Sequence, residues 1–150
     1  MRFFVLAGLV SVLVLSPLCP QTADVLEELL EKPAVSWSEA AAFVLEASEA
    51  GAYDAAGAFG YASEQKWLPK DAQPGDTVSI KGLSLLLMRS FDLDGGLFYK
   101  ITKSPHHAYR ELVYKGISRG DIDPGIPVSG RELLFMVNKI LSIKEKEAAK

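Results

Sequence analysis

The chain has 150 residues, of which 49% are apolar, and its formal net charge is −3. That apolar fraction supports a folded core and excludes a disordered chain. The mild acidity and the absence of any basic block argue against nucleic acid as a partner. The length predicts one domain or a small array of repeats.

The N-terminal residues form a segment unlike the rest of the chain. A positive Met-Arg start precedes an uncharged apolar run from Phe3 to Leu15. A run of this length is short for a transmembrane helix and is typical of a signal peptide. We therefore assign residues 1–23 to a signal peptide cleaved near Ala23, and we expect an exported protein of the bacterial periplasm, envelope or cell surface. An uncleaved membrane anchor is the alternative.

Cys19 follows the apolar run and is the only cysteine in the chain. Its position suits a lipoprotein signal, although Leu18 before it is a poor match to the small residue that this signal needs. Lipidation or removal of Cys19 both stay open. Either way, the folded part has no internal disulfide, and we expect membrane contact only through the N-terminal segment or a lipid.

Helical spacing of apolar residues dominates from residue 22 onward. Serines stand where several helices begin, and Pro105 occupies a first helical position. The block Leu83 to Met88 predicts the most buried helix. The short stretches 76–80 and 95–101 are compatible with extended pieces, but the whole pattern predicts an all-α fold. Predicted helices lie within residues 22–31, 36–50, 54–67, 79–91, 104–116 and 129–150.

An internal repeat organises the chain. Residues 58–91 align without a gap on residues 108–141, with seven identities that include Pro-Gly in the loop and Val-Ser before a helix. The Val-Ser pair recurs upstream at residues 35 and 36. The pattern predicts helix-loop-helix units at about 55–92 and 105–142, preceded by a half unit at about 34–50.

The last unit resembles the S-layer homology (SLH) domain family. A Gly-Ile-x-x-Gly turn ends its first helix, an apolar residue and a proline follow two places apart, and a capped helix start ends the motif. The resemblance covers about residues 34–142 and implies helix-loop-helix repeats packed as one compact, pseudo-threefold helical domain within residues 24–150. The residues that carry it are Gly116, Ile117, Gly120, Ile122, Pro124, Pro127, Val128, Ser129 and Glu132.

The chain departs from the family at the arginine that directly follows the cap and contacts ligand. Trp37, Ile80 and Gly130 stand there, and Arg131 is displaced by one place, which rotates it by about 100° on a helix. The glutamate three places after the cap is present as Glu39 and Glu132 but is Gly82 in the middle unit.

The resemblance implies a non-catalytic envelope protein that binds a cell-wall polysaccharide or a peptidoglycan-associated polymer. The candidate ligand-binding residues are Trp37, Ser129, Arg131 and Glu132. A capping box alone explains Ser129 and Glu132. Loss of the family arginine favours the alternative, an envelope protein-protein interaction module with the same fold and no glycan ligand.

Other chemistry finds little support in the sequence. Residues 119–121 spell Arg-Gly-Asp but fall on the repeat's turn. A calcium loop counted from Asp121 has Gly125 and Ile126 at its fifth and sixth positions, where a ligand and a glycine are needed. Adjacent His106 and His107 lack the spacing of a zinc pair. No nucleophile elbow or phosphate loop is present, so we expect no enzyme activity, cofactor or metal.

Overall fold

The computed structural model describes residues 21–150 of the chain. This part contains seven α-helices and no strand. The predicted all-α fold is therefore confirmed. The apolar run and Cys19 lie outside the described residues, and the predicted cleavage point at Ala23 falls inside the first helix. The helices are α1 Gln21–Glu31, α2 Trp37–Ala47, α3 Ala55–Glu64, α4 Ile80–Ser90, α5 Leu97–Thr102, α6 Pro105–Tyr114 and α7 Gly130–Ala148.

Helix α5 corrects the sequence-based interpretation of residues 95–101 as a possible extended piece. Lys100 N donates to Gly96 O at 3.0 Å, which closes a helical turn instead. Tyr99 is 6% exposed and fixes α5 to the core, so one tertiary contact overrides the aromatic and β-branched character of the stretch. Burial raises the pKa of the Tyr99 hydroxyl, which stays protonated.

Helix α4 is the most deeply buried helix, as its apolar block predicts. Leu83, Leu86 and Leu87 are fully buried, and Met88 is nearly so. The one buried hydroxyl on the helix, Ser84, donates to the carbonyl of Ile80 at 2.7 Å and so meets its hydrogen-bonding need. The core of the molecule therefore lies around α4.

Serine residues cap the starts of α2, α4 and α7. Ser36, Ser79 and Ser129 each accept a hydrogen bond from the amide three residues later. Only the Ser36 cap among these has the reciprocal bond, in which Ser36 N donates to Glu39 at 2.9 Å. The local sequence therefore fixes where each helix begins.

Three buried valines beside these caps form a closed ring of backbone hydrogen bonds. Val35 N donates to Val128 O at 2.9 Å, Val128 N donates to Val78 O at 2.8 Å, and Val78 N donates to Val35 O at 3.0 Å. All three side chains are at most 1% exposed. The ring joins the segments that lead into α2, α4 and α7.

The chain forms three consecutive helix-loop-helix pairs, which we call the first (α1 and α2), second (α3 and α4) and third (α6 and α7) pair, and the main packing contacts run between these pairs rather than within them. The second helix of each pair lies against the first helix of the next: α2 on α3, α4 on α6, and α7 on α1. The first pair thus extends the predicted half unit with a helix of its own. No helix within residues 21–150 has the length and apolarity needed to cross a membrane.

Loops 65–79 and 115–129, which join the helices of the second and third pairs, run to the preceding pair. Trp37 N donates to Asp76 O at 3.1 Å, and Ile80 N donates to Ile126 O at 3.1 Å. Loop 115–129 is also held by its own helical pair, because the hydroxyl of Tyr109 on α6 donates to the carbonyl oxygens of Arg119 and Ile122. Phe59 stands at the matching place of the second pair and has no hydroxyl.

Candidate functional site

An open groove lies beside Ser79, where loop 65–79 meets the starts of α4 and α6. Its volume is about 430 Å³. Two carboxylates, an ammonium group and an imidazole line it together with several hydroxyls, so it offers hydrogen-bond donors and acceptors over a partly apolar wall. We call it the Ser79 groove. Its lining residues are Trp37, Pro69, Asp71, Ala72, Asp76, Thr77, Ser79, Lys81, Gly82, Ser104, Pro105 and His106.

Trp37 is the one sequence-predicted site residue that lines the Ser79 groove. Its indole packs over Gly82: a β-carbon built on Gly82 would lie 2.8 Å from the Trp37 ring. The side chain is only 5% exposed. Trp37 therefore forms part of the groove wall and leaves little ring surface for stacking on a sugar.

A second groove of about 560 Å³ continues from the first. The two share five lining residues, among them Pro69, Asp71 and Ser104. Lys66 and Lys103 line the second groove and both have positive φ, 58° and 47°. Both residues end a helix, α3 and α5 respectively, where a left-handed backbone is a common stop. Together the grooves form a cleft of mixed polar and apolar lining between loop 65–79 and the junction of α5 and α6.

Ser129, Arg131 and Glu132 lie at the start of α7 and do not line the Ser79 groove. Ser129 accepts from Glu132 N at 3.2 Å, which is half of the predicted capping box. Arg131 is exposed. Within residues 21–150, Glu132 Oε1 is buried without a hydrogen-bond partner. The three residues share one helix start, and Trp37 belongs to a different part of the surface.

The position directly after each cap is buried in all three pairs. Trp37 is 5% and Ile80 2% exposed, and Gly130 has no room for a side chain. A β-carbon on Gly130 would lie 1.6 Å from the carbonyl oxygen of Leu29 in α1. Gly130 N also donates to Lys32 O at 3.0 Å. The last turn of α1 therefore fills the space beside Gly130.

Glu39 makes a charged contact that Glu132, its counterpart on α7, lacks within residues 21–150. Its carboxylate pairs with Lys32, whose ammonium also lies 3.6 Å from Glu28. Burial raises the pKa of Glu39, but hydrogen bonds from Lys32 and Ser36 more than offset it, and the net pKa lies below the ordinary 4.5. The hydrogen bond to Glu39 likewise raises the pKa of Lys32. The pair stabilises the start of α2.

Asp123 and the two histidines make local contacts. Asp123 accepts from Gly125 N at 2.8 Å, which is a turn contact. His107 Nδ1 lies 2.9 Å from Thr102 Oγ1 and 2.8 Å from Ser104 Oγ. In the described part of the chain no three acidic, histidine or cysteine side chains form a group suited to a metal ion.

The residues of the Ser79 groove that sequence reasoning missed are its charged side chains and its imidazole: Asp71, Asp76, Lys81 and His106. The fifty-residue alignment contained a signal for one of them, since it carries Arg131 onto Lys81. No pattern signalled that His106, from the third pair, would meet them.

Comparison with known proteins adds no relative. No protein-family model matches the chain, and neither the curated proteins nor the solved structures contain a match to it.

Proposed function

We propose that this chain is a non-catalytic protein of the bacterial cell envelope that binds a cell-wall polysaccharide or a peptidoglycan-associated polymer. The observation that carries the proposal is the Ser79 groove, which joins Asp71, Asp76, Lys81 and His106 with an aromatic wall. A surface that binds a hydroxyl-rich polymer needs both hydrogen-bond donors and hydrogen-bond acceptors along its length. The groove and its continuation supply them.

The scaffold of the proposal is a set of degenerate SLH-like repeats arranged about an approximate threefold axis. The ring formed by Val35, Val78 and Val128 supports this arrangement, because each valine gives one hydrogen bond to the next pair and accepts one from the other. The cyclic packing of the three helical pairs supports it as well.

Because the groove lies at the start of α4, we place the polymer contact there and not at the start of α7. Lys81 stands two residues after Ser79, as Arg131 stands two residues after Ser129. Both side chains are exposed, but only Lys81 lines a groove with carboxylates and an imidazole. We therefore assign the polymer contact to Lys81 and its neighbours.

A protein-interaction module of the envelope, with the same scaffold and no glycan ligand, is the second candidate. The observation that favours it is the burial of Trp37, Ile80 and Gly130, the three residues at the place of the family's ligand arginine. None of them offers a charged group to a polymer.

Co-sedimentation of the purified full chain with cell-wall sacculi of the source organism separates the two candidates. We expect the chain to sediment, and Lys81→Ala to weaken binding roughly tenfold through loss of a charged hydrogen bond. Arg131→Ala is the matched control, since it removes an exposed cation from the same position of another helix. A chain that stays in solution with its own wall material contradicts glycan binding, and an effect of Arg131→Ala alone moves the site to α7.

A further inference from the structure

Helix α5 turns its apolar face away from the protein. Leu97, Phe98 and Ile101 are 69%, 71% and 72% exposed, and their positions lie within about 100° of one another around the helix. Tyr99, on the opposite side, is the buried residue of α5. An amphipathic helix of a globular protein normally buries its apolar face, so this face is available to a partner.

The apolar face of α5 is held in place by contacts with its surroundings. The Thr102 hydroxyl donates to the carbonyl of Phe98 at 2.8 Å and lies 2.9 Å from the ring of His107 on α6. The Phe98 and His107 rings stack with 6.1 Å between centroids and 13° between planes. The face is therefore preformed and requires little ordering on binding.

Helix α5 is also an addition to the repeated pattern. Seven residues, 48–54, join α2 to α3, whereas fourteen residues, 91–104, join α4 to α6 and contain α5. The shorter connection shows that one helical pair is linked to the next without such a helix. The three exposed side chains thus lie on a segment that the scaffold itself does not require.

Helix α5 and its C-cap carry positive charge only, although the net charge of the protein is −3. Residues 97–103 contain Lys100 and Lys103 and no carboxylate, while the carboxylates of Asp94 and Glu111 lie near the start of the helix. Asp94 lies 3.9 Å from Lys100, but both side chains are well exposed, so water screens this pair. Two lysines beside an apolar face match a surface that presents anionic groups above hydrocarbon.

We propose that α5 is a peripheral membrane contact for bilayers that contain anionic phospholipid. Leu97, Phe98 and Ile101 enter the boundary between headgroups and acyl chains, while Lys100 and Lys103 lie at the phosphates. A six-residue helix reaches about 5–10 Å into the bilayer and does not cross it. This contact shares Lys103 with the second groove, but it uses no residue that lines the Ser79 groove and does not depend on any anchoring by the N-terminal segment.

Fluorescence of a Phe98→Trp variant of the full chain tests the proposal, because it reports on α5 even when another segment holds the protein on the vesicle. The probe is a vesicle of phosphatidylcholine with phosphatidylglycerol, with and without bromine-labelled acyl chains. We expect the fluorescence added by the new tryptophan to shift to the blue and to be quenched by the brominated lipid. Lys100→Glu with Lys103→Glu, or vesicles of phosphatidylcholine alone, should abolish both effects.

Vesicle binding of serine variants provides the second measurement. Leu97→Ser, Phe98→Ser and Ile101→Ser combined should lower the α5-dependent partition coefficient roughly a hundredfold, since each removes an apolar side chain from the bilayer. Phe135→Ser, at an exposed phenylalanine of α7, is the control and should change nothing. Circular dichroism should show all variants folded, because the replaced side chains lie outside the core.

Two outcomes overturn the proposal. An added tryptophan that stays unquenched on vesicle-bound protein places α5 in water. A blue shift that appears without lipid and grows with protein concentration assigns the face to a second copy of the chain.

Discussion

The second and third helical pairs have aligned sequences, yet they differ in what surrounds their matching residues. Ile80 fills its place in the second pair with a buried side chain, whereas the backbone of α1 fills the same place beside Gly130 in the third. Loop 65–79 borders an open polar groove, and loop 115–129 is held by the Tyr109 hydroxyl. A repeat therefore specifies a helix start, while its neighbours decide whether a groove opens beside it.

Among substitutions that test the difference between the two pairs, Gly130→Ala should change the stability of the protein most. The added β-carbon would lie 1.6 Å from a backbone oxygen of α1, so the helices must separate. We expect the free energy of unfolding to fall by about 3 kcal/mol or more. Urea denaturation measures the change.

Gly60→Ala is the matched control for Gly130→Ala. Gly60 lies on the exposed face of α3 with nothing within 4 Å of a built β-carbon. The substitution should stabilise the protein by about 1 kcal/mol through helix propensity. Equal effects of the two substitutions would mean that α1 does not pack on Gly130.

Tyr109→Phe should have an intermediate effect, because it gives the third pair the residue type that the second has at Phe59. It removes the hydroxyl that donates to Arg119 and Ile122 at 2.8 and 3.1 Å. We expect a loss of about 1 kcal/mol and faster amide exchange in loop 115–129. Phe59→Tyr, the reverse change, should not slow exchange in loop 65–79. Unchanged exchange in loop 115–129 would show that the hydroxyl does not hold it.

Breaking the ion pair of Glu39 and Lys32 should have the smallest effect on the free energy of unfolding, below about 1 kcal/mol, because each side chain is 31% exposed. The lowered pKa of Glu39 gives stability that is present above 4.5 and is lost as the pH falls through the folded-state value. The raised pKa of Lys32 gives stability that is lost only in the alkaline range above 10.5.

Glu39→Gln measures this contribution. The difference in unfolding free energy between the parent and Glu39→Gln should be constant near neutral pH and should shrink below 4.5. In a Lys32→Met background the difference should be smaller and its pH dependence weaker. A difference that is independent of pH would show that the carboxylate contributes only as a cap.

The sequence by itself determined six of the seven helices in residues 21–150 and the starts of α2, α4 and α7. Periodic apolar residues and serine caps are local signals, so α2, α4 and α7 begin at the residues after Ser36, Ser79 and Ser129. Helix α5 was missed, because burial of Tyr99 decides its conformation and no short-range pattern encodes that burial.

Only the tertiary structure decided which helix start lies beside a groove. Ser79 and Ser129 make the same cap hydrogen bond, but loop 65–79, the Trp37 wall and the start of α6 meet only at Ser79. Those partners come from segments far apart in sequence, and their meeting depends on the packing of all three helical pairs. Local sequence fixes backbone hydrogen bonds within a few residues, whereas a groove is the space left between elements that pack at long range.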